Sequence, residues 1–227
     1  MKVIFTCGGT AGHVNPALAL AGYMRKKDPT VEVLFVGTPE GIERDLVAQA
    51  GYDYRGIAVG SLERSVSWEA IRHKCKSAWE MLALRRKTGA ILKEFPADLV
   101  VGTGGYASYP MVKYAALRGI PTAVHEANMI PGLTTKMLEK HASRIMVGFE
   151  ECRALYKHPE RIAVTGTPVR GDFFDLTHEE AKAALGVGKD EPLVVSFWGS
   201  LGASTMNGQM LDFFKKEKED GYPFYHI

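Results

Sequence analysis

The first 27 residues, MKVIFTCGGTAGHVNPALALAGYMRKK, constrain the fold more than any other stretch, because an apolar run, a glycine cluster and a helical pattern follow one another without a gap. Val3, Ile4 and Phe5 read as a buried strand. Gly8, Gly9 and Gly12 let the backbone turn sharply and approach a ligand closely, and the helix that follows offers unpaired N–H groups at its positive end. The expectation is an anion cradle at the end of a strand. Neither common nucleotide loop fits, since no Lys-Ser/Thr pair closes the turn and the glycine spacing is not G-x-G-x-x-G.

The same logic recurs along the chain. VEVLFVG (31–37) reads as a second buried strand, and residues 39–51 as a helix with Ile42, Leu46 and Val47 on one face. In ADLVVGTGGYASYPM (97–111) a strand runs into Gly102, Gly104 and Gly105 and on toward a helix carrying Met111 to Leu117. IPTAVHEAN (120–128) is a strand delivering His125, Glu126 and Asn128 to the same edge. SRIMVGFEE (143–151) leads from a strand into a short helix, and RIAVTGTPVRGDFF (161–174) ends in a Gly/Pro-marked exit. Alternating strands and helices predict an α/β fold with a parallel sheet and both glycine loops at its ligand-binding edge.

Beyond Asp175, HEEAKAALGVG reads as a linker helix and PLVVSFWGSLGAS (192–204) as a strand with a third glycine loop. That echo predicts a second, similarly built domain. Its elements through YPFYHI are too few to bury both faces of a parallel sheet. The division expected is a first domain over 1–165, a linker over 166–191 and the opening of a second domain over 192–227, the remainder lost by truncation or supplied by a second chain.

Composition excludes several classes. A net charge of +2 is too small to argue for a nucleic-acid partner. Cys7, Cys75 and Cys152 are odd in number and lack C-x-x-C spacing, so neither a disulfide framework nor a zinc site is expected, and a reducing cytosol fits. The opening apolar segment is too short for a signal peptide, and no apolar run approaches the roughly 18 residues of a spanning helix. Residues 66–93 form the longest helical candidate, with Trp68, Ile71, Trp79 and Leu82 at helical spacing and Arg85 and Arg86 among the basic residues between them. Such a helix either lies on an anionic membrane surface or packs its stripe on the sheet and leaves its charges solvated. A dinucleotide-binding oxidoreductase is disfavoured, since VGTPEG places no suitable acid at the end of the second strand.

CGGTAGHVNPALALA, GTGGYASYP, HEANMIPG, GTPVR and GSLGAS, in this order, resemble the MurG family. The resemblance implies a two-domain, GT-B-type glycosyltransferase, here a Rossmann-like parallel-sheet domain with the second domain incomplete. It implies inverting transfer of N-acetylglucosamine from UDP-N-acetylglucosamine to the C4 hydroxyl of an undecaprenyl-linked muramyl pentapeptide, at the cytoplasmic face of the cell membrane, without metal or cofactor. A non-catalytic half that binds acceptor and membrane is the alternative. The family's uridine- and ribose-binding segment would lie beyond Ile227.

Residue by residue, the resemblance makes His13 the general base or an acceptor binder; its place in the first turn of a helix favours the neutral ring. Thr10, Ala11, Gly12, Asn128, Arg170 and Ser200 match donor-contacting positions, and Gly104, Gly105, Tyr106 and Glu126 acceptor-contacting ones. Read from the chain alone, the glycine turns are also compatible with a purely structural role, Asn128 with capping the helix after Pro131, and Arg170 with an exposed salt bridge. Ala11 stands where the family commonly has a further glycine.

Overall fold

The computed structural model describes residues 1–58, 83–198, 203–221 and 224–227. They form two compact units, Met1–Gly171 and Asp172–Ile227.

The first unit is a seven-stranded sheet in the order β3-β2-β1-β4-β5-β6-β7, every pair parallel. β1 (Lys2–Thr6), β2 (Glu32–Gly37), β4 (Leu99–Gly102), β5 (Thr122–Glu126), β6 (Arg144–Val147) and β7 (Ile162–Val164) arise from the apolar runs read above. β3 (Asp53–Gly56, DYRG) does not, because an edge strand with one buried neighbour needs no apolar run.

Helices cover both faces, so the strands are apolar on both sides. Val3, Phe5 and Cys7 face α1 (Ala11–Lys27) and α2 (Ile42–Gln49), where the rings of Phe5 and Phe35, paired in register, stack at 5.4 Å. Ile4, Leu34 and Val100 face the other core with Ile91 and Leu92 of α3 (described over 83–94), Met111 and Val112 of α4 (Ser108–Ala116) and Leu138 of α5 (Leu133–Leu138).

Two expected helices differ in detail. α2 starts only at Ile42, after an extended Gly41, and its inward residues are Glu43 and Val47, with Leu46 half-buried and Ile42 49% exposed. A side chain that can satisfy its charge inside displaces the apolar residue from that face. In α3, Leu84, Ile91 and Leu92 pack on the sheet while Arg85 and Arg86 are exposed, the core-helix arrangement over this part. Trp68, Ile71, Trp79 and Leu82 lie outside the described residues, as does Ser200.

The second unit contains α6 (His178–Ala184), β8 (Leu193–Val194), α7 (Ser204–Asp220) and β9 (Tyr225–His226), with β8 and β9 parallel. The stretch expected as a linker is divided. Residues 166–171 belong to the first unit, and α6 is built into the second, where the buried Lys182 donates its Nζ protons to the carbonyls of Lys189 (2.6 Å) and Glu191 (2.5 Å). A capping box between Thr177 and Glu180 starts that helix.

Candidate active site

The sheet order reverses between β1 and β4, and their carboxyl ends lie side by side with Thr6 opposite Gly102. In an open parallel sheet this switch point is where a ligand crevice forms. Both glycine loops leave from it. Gly9 in the first has φ +89°, and Gly104 and Gly105 in the second have +114° and +79°, backbone that L side chains rarely adopt. Ala11 opens α1 with no left-handed backbone, so the loop needs no glycine there.

The two loops touch. A Cβ on Gly105 would stand 2.1 Å from the carbonyl oxygen of Gly8, and one on Gly104 would stand 2.4 Å from Cδ2 of His13. His13, in the first turn of α1, therefore lays its imidazole against Gly104. Thr103 Oγ1 donates to the His13 carbonyl at 2.6 Å and ties α1 to the second loop. The ring's Nδ1 lies 2.9 Å from the Gly8 carbonyl oxygen and 3.3 Å from Thr10 Oγ1. A carbonyl only accepts, so the bond assigns the proton to Nδ1, and the neutral ring keeps its lone pair on Nε2.

His13, Gly104, Gly105, Glu126, Asn128 and the start of α5 (Gly132, Leu133, Thr134, Thr135) line one cleft of about 220 Å³. Glu126 enters it differently from the expectation of a free ligand group. One oxygen accepts from the backbone and side-chain amides of Asn128 (3.0 and 2.8 Å), the other from Gly132 N and Thr135 Oγ1 (both 2.8 Å). Four donors fill a carboxylate's capacity, so Glu126 shapes the loop and offers no spare oxygen. Asn128 is exposed, donates its Nδ2 to Glu126 and does not cap α5, whose N-cap is Gly132.

Of the other sequence candidates, Thr10, Ala11 and Gly12 stand on the open first turn of α1, where helix N–H groups lack internal partners. Tyr106 is 41% exposed beside Gly105 without lining the cleft. Arg170 is exposed, one residue before the division between the units, and also lies off the cleft. His125 does not line the cleft: its ring is buried, its Nε2 lies 3.1 Å from the Gly166 carbonyl, and burial lowers its pKa against that bond. Among the described residues no group of three or more His, Cys, Asp or Glu could hold a metal ion.

Sequence reasoning missed Glu43. It is fully buried beneath the first loop, where Oε1 accepts from Thr38 N (2.8 Å) and Thr38 Oγ1 (2.6 Å), and Oε2 accepts from Gly9 N (3.4 Å). Burial alone would raise its pKa, but these bonds bring it below the ordinary value. Buried beside it, the Cys7 thiol is pushed up to about 12, first by burial and then by the Glu43 charge. Nothing in TPEGIER distinguishes Glu43 from its exposed neighbour Glu40.

Residues 3–147 match the Glycosyltransferase family 28 N-terminal domain, and the chain belongs to that family: a Rossmann-like, GT-B-type glycosyltransferase fold with its second domain incomplete. The MurG-family resemblance of the motifs is borne out. Over 220 residues the chain is 40% identical to the UDP-N-acetylglucosamine--N-acetylmuramyl-(pentapeptide) pyrophosphoryl-undecaprenol N-acetylglucosamine transferase of Acetivibrio thermocellus, covering 97% of this chain and 58% of that protein. It is 39% identical to the enzyme of the same name from Thermoanaerobacter sp. (strain X514), covering 97% and 59%. The crystal structure of Acinetobacter baumannii MurG shares the fold with a TM-score of 0.69 and 23% identity, over 99% of this chain and 60% of that one. Anabaena HepE in complex with UDP-glucose shares it at 0.58 and 10% identity, over 100% of this chain and 68% of that one. The chain thus spans less than two thirds of the length of the two transferases and of the MurG chain.

Proposed function

We propose that the first unit is the acceptor-side half of an inverting transferase that moves N-acetylglucosamine from UDP-N-acetylglucosamine to the C4 hydroxyl of a lipid-linked muramyl pentapeptide in peptidoglycan synthesis. The names of the relatives support the substrates. One observation carries the chemistry: the Gly8 carbonyl holds the proton of His13 on Nδ1, leaving the Nε2 lone pair beside the cleft that His13 shares with Gly104, Gly105 and the start of α5.

Nε2 would take the proton of the acceptor hydroxyl as that oxygen forms its bond to the anomeric carbon, while the bond to the UDP oxygen breaks on the opposite face. The N–H groups of Thr10, Ala11 and Gly12 at the positive end of α1 would receive charge developing on the departing diphosphate. Gly104 and Gly105 would cradle the acceptor diphosphate, with Tyr106 beside them. Asn128 would bond a sugar hydroxyl through Oδ1, and Arg170 and Ser200 would contact the donor. The transfer is a property of the whole enzyme, in which further residues or a second chain would hold the uridine.

The test is a titration of the chain with a water-soluble muramyl diphosphate peptide, followed by NMR. Binding should move the ring signals of His13 and the amides of Gly104 and Gly105, and a 4-deoxy acceptor should bind while leaving the His13 ring unmoved. An acceptor that binds without touching these groups overturns the reading.

A further inference from the structure

The Gly8 carbonyl that holds His13 and the Gly9 N–H that meets Glu43 belong to one peptide unit. That unit is planar, so its C=O and N–H point in opposite directions and cannot be set independently. On one side Nδ1 of His13 lies 2.9 Å from the oxygen; on the other Oε2 of Glu43 lies 3.4 Å from the nitrogen. We propose that Glu43 is the positioning residue of the His13 site: its carboxylate fixes which way the Gly8–Gly9 peptide faces, and the peptide in turn selects the histidine tautomer.

The peptide is flanked by two glycines, so little in its own chain prevents it from turning over. Turned over, it would present N–H to the imidazole, Nδ1 would become the acceptor, and the proton would move to Nε2. A ring protonated there cannot take a proton from a hydroxyl in the cleft. Packing leaves room for the observed orientation only because residue 105 lacks a side chain, as a Cβ there would stand 2.1 Å from the Gly8 oxygen. Gly8 is closed in as well, since a Cβ on it would meet Glu43 Oε1 at 3.0 Å and Ala107 Cβ at 3.1 Å. The second glycine loop and α2 thus converge on this peptide, and the Glu43 carboxylate accepts from its N–H.

Glu43→Gln separates this role from mere support. Oε1 makes two short bonds to Thr38, at 2.8 and 2.6 Å, against one long bond from Oε2 to Gly9. The amide oxygen will therefore stay with Thr38, the anchor of α2 will persist, and the new NH2 will face the Gly9 N–H donor to donor. The catalytic consequence rests on His13 acting as the base; the tautomer itself does not.

The experiment records ring nitrogen and carbon signals of His13 in the ligand-free chain at a pH where the ring is neutral. The wild type should show protonated Nδ1 and bare Nε2. In Glu43→Gln, and in Glu43→Asp, whose shorter side chain withdraws from Gly9, the two nitrogen signals should move toward each other or exchange. The His125 signals should stay in place. A wild-type ring protonated on Nε2 overturns the proposal whatever the variants do, and so does a folded variant of either kind with wild-type His13 signals. Because no substrate is present, failure of the transferase reading would leave this result standing, and failure here would leave the acceptor titration to be judged by itself.

Discussion

Gly105 and Gly8 come so close that a single added carbon on Gly105 would sit 2.1 Å from the Gly8 carbonyl oxygen. Their contact packs the first glycine loop directly against the second, whose Gly104 and Gly105 line the cleft. Gly105→Ala should lower stability by about 3–5 kcal/mol, from the left-handed backbone and the clash with backbone together. Gly12→Ala should do the opposite. Its Cβ would meet only Thr10 Oγ1 at 3.7 Å, and alanine is the better helix former by about 1 kcal/mol. Urea unfolding of the two variants measures both; equal effects would mean that the loops do not touch in solution.

Glu126 organises the loop before α5 through four accepted hydrogen bonds. In Glu126→Gln the amide nitrogen must face donors on one side, and the loss should be about 1–3 kcal/mol. Faster hydrogen exchange at the Asn128 and Gly132 amides would accompany it. Unchanged protection at both would show that the loop is held by packing alone.

Acid should destabilise the first unit in two stages. His125 and Glu43 both have folded pKa values below their ordinary values of 6.5 and 4.5, so the unfolded chain binds more protons. The stabilisation is complete above the ordinary value and is lost as pH falls through the folded one, at most about 1.4 kcal/mol per pH unit for each group. Urea midpoints measured from neutral pH downward should fall first in the histidine window, then in the carboxylate window. Glu43→Gln should flatten only the second stage.

The second unit should exchange its amides before the first. α7 buries none of its side chains, Phe197 is 82% exposed, and the sheet there has two strands of two residues each. Hydrogen-exchange mass spectrometry should show early labelling over 203–221 and late labelling in β1, β4 and β5. Equal protection would show that the second unit is covered in solution.

Docking on an anionic membrane through residues 66–93 is proposed from the sequence pattern. Among the described residues no helix is long and apolar enough to cross a membrane. Arg85 and Arg86 are exposed, and each cation near an anionic surface contributes about 1 kcal/mol. The wild type should sediment with anionic vesicles at low salt, and the combined Trp79→Ala, Arg85→Glu, Arg86→Glu variant should remain in the supernatant. A folded variant that sediments equally well removes the proposal.

The apolar runs and the glycine clusters determined, by themselves, the parallel sheet and the edge where its site lies. A strand buried on both faces must be apolar throughout, and a sharp turn at its end needs glycine, so Val3–Phe5 and Gly104–Gly105 were legible as they stand. The motifs likewise carried the family. Tertiary structure alone decided which polar groups work as ligands and which as supports. Glu126 and Asn128 look alike as ligand candidates in HEAN, yet the buried carboxylate is consumed by four donors while Asn128 is one of those donors and stays exposed. Glu43 and Glu40 look alike in TPEGIER, yet only Glu43 turns inward to meet Gly9 and Thr38. Hydrogen-bond partners come from loops far apart in the chain, 34 residues for Glu43 and Gly9 and 90 for Thr103 and His13. No local pattern records a pairing whose geometry exists only once the sheet has brought the loops together.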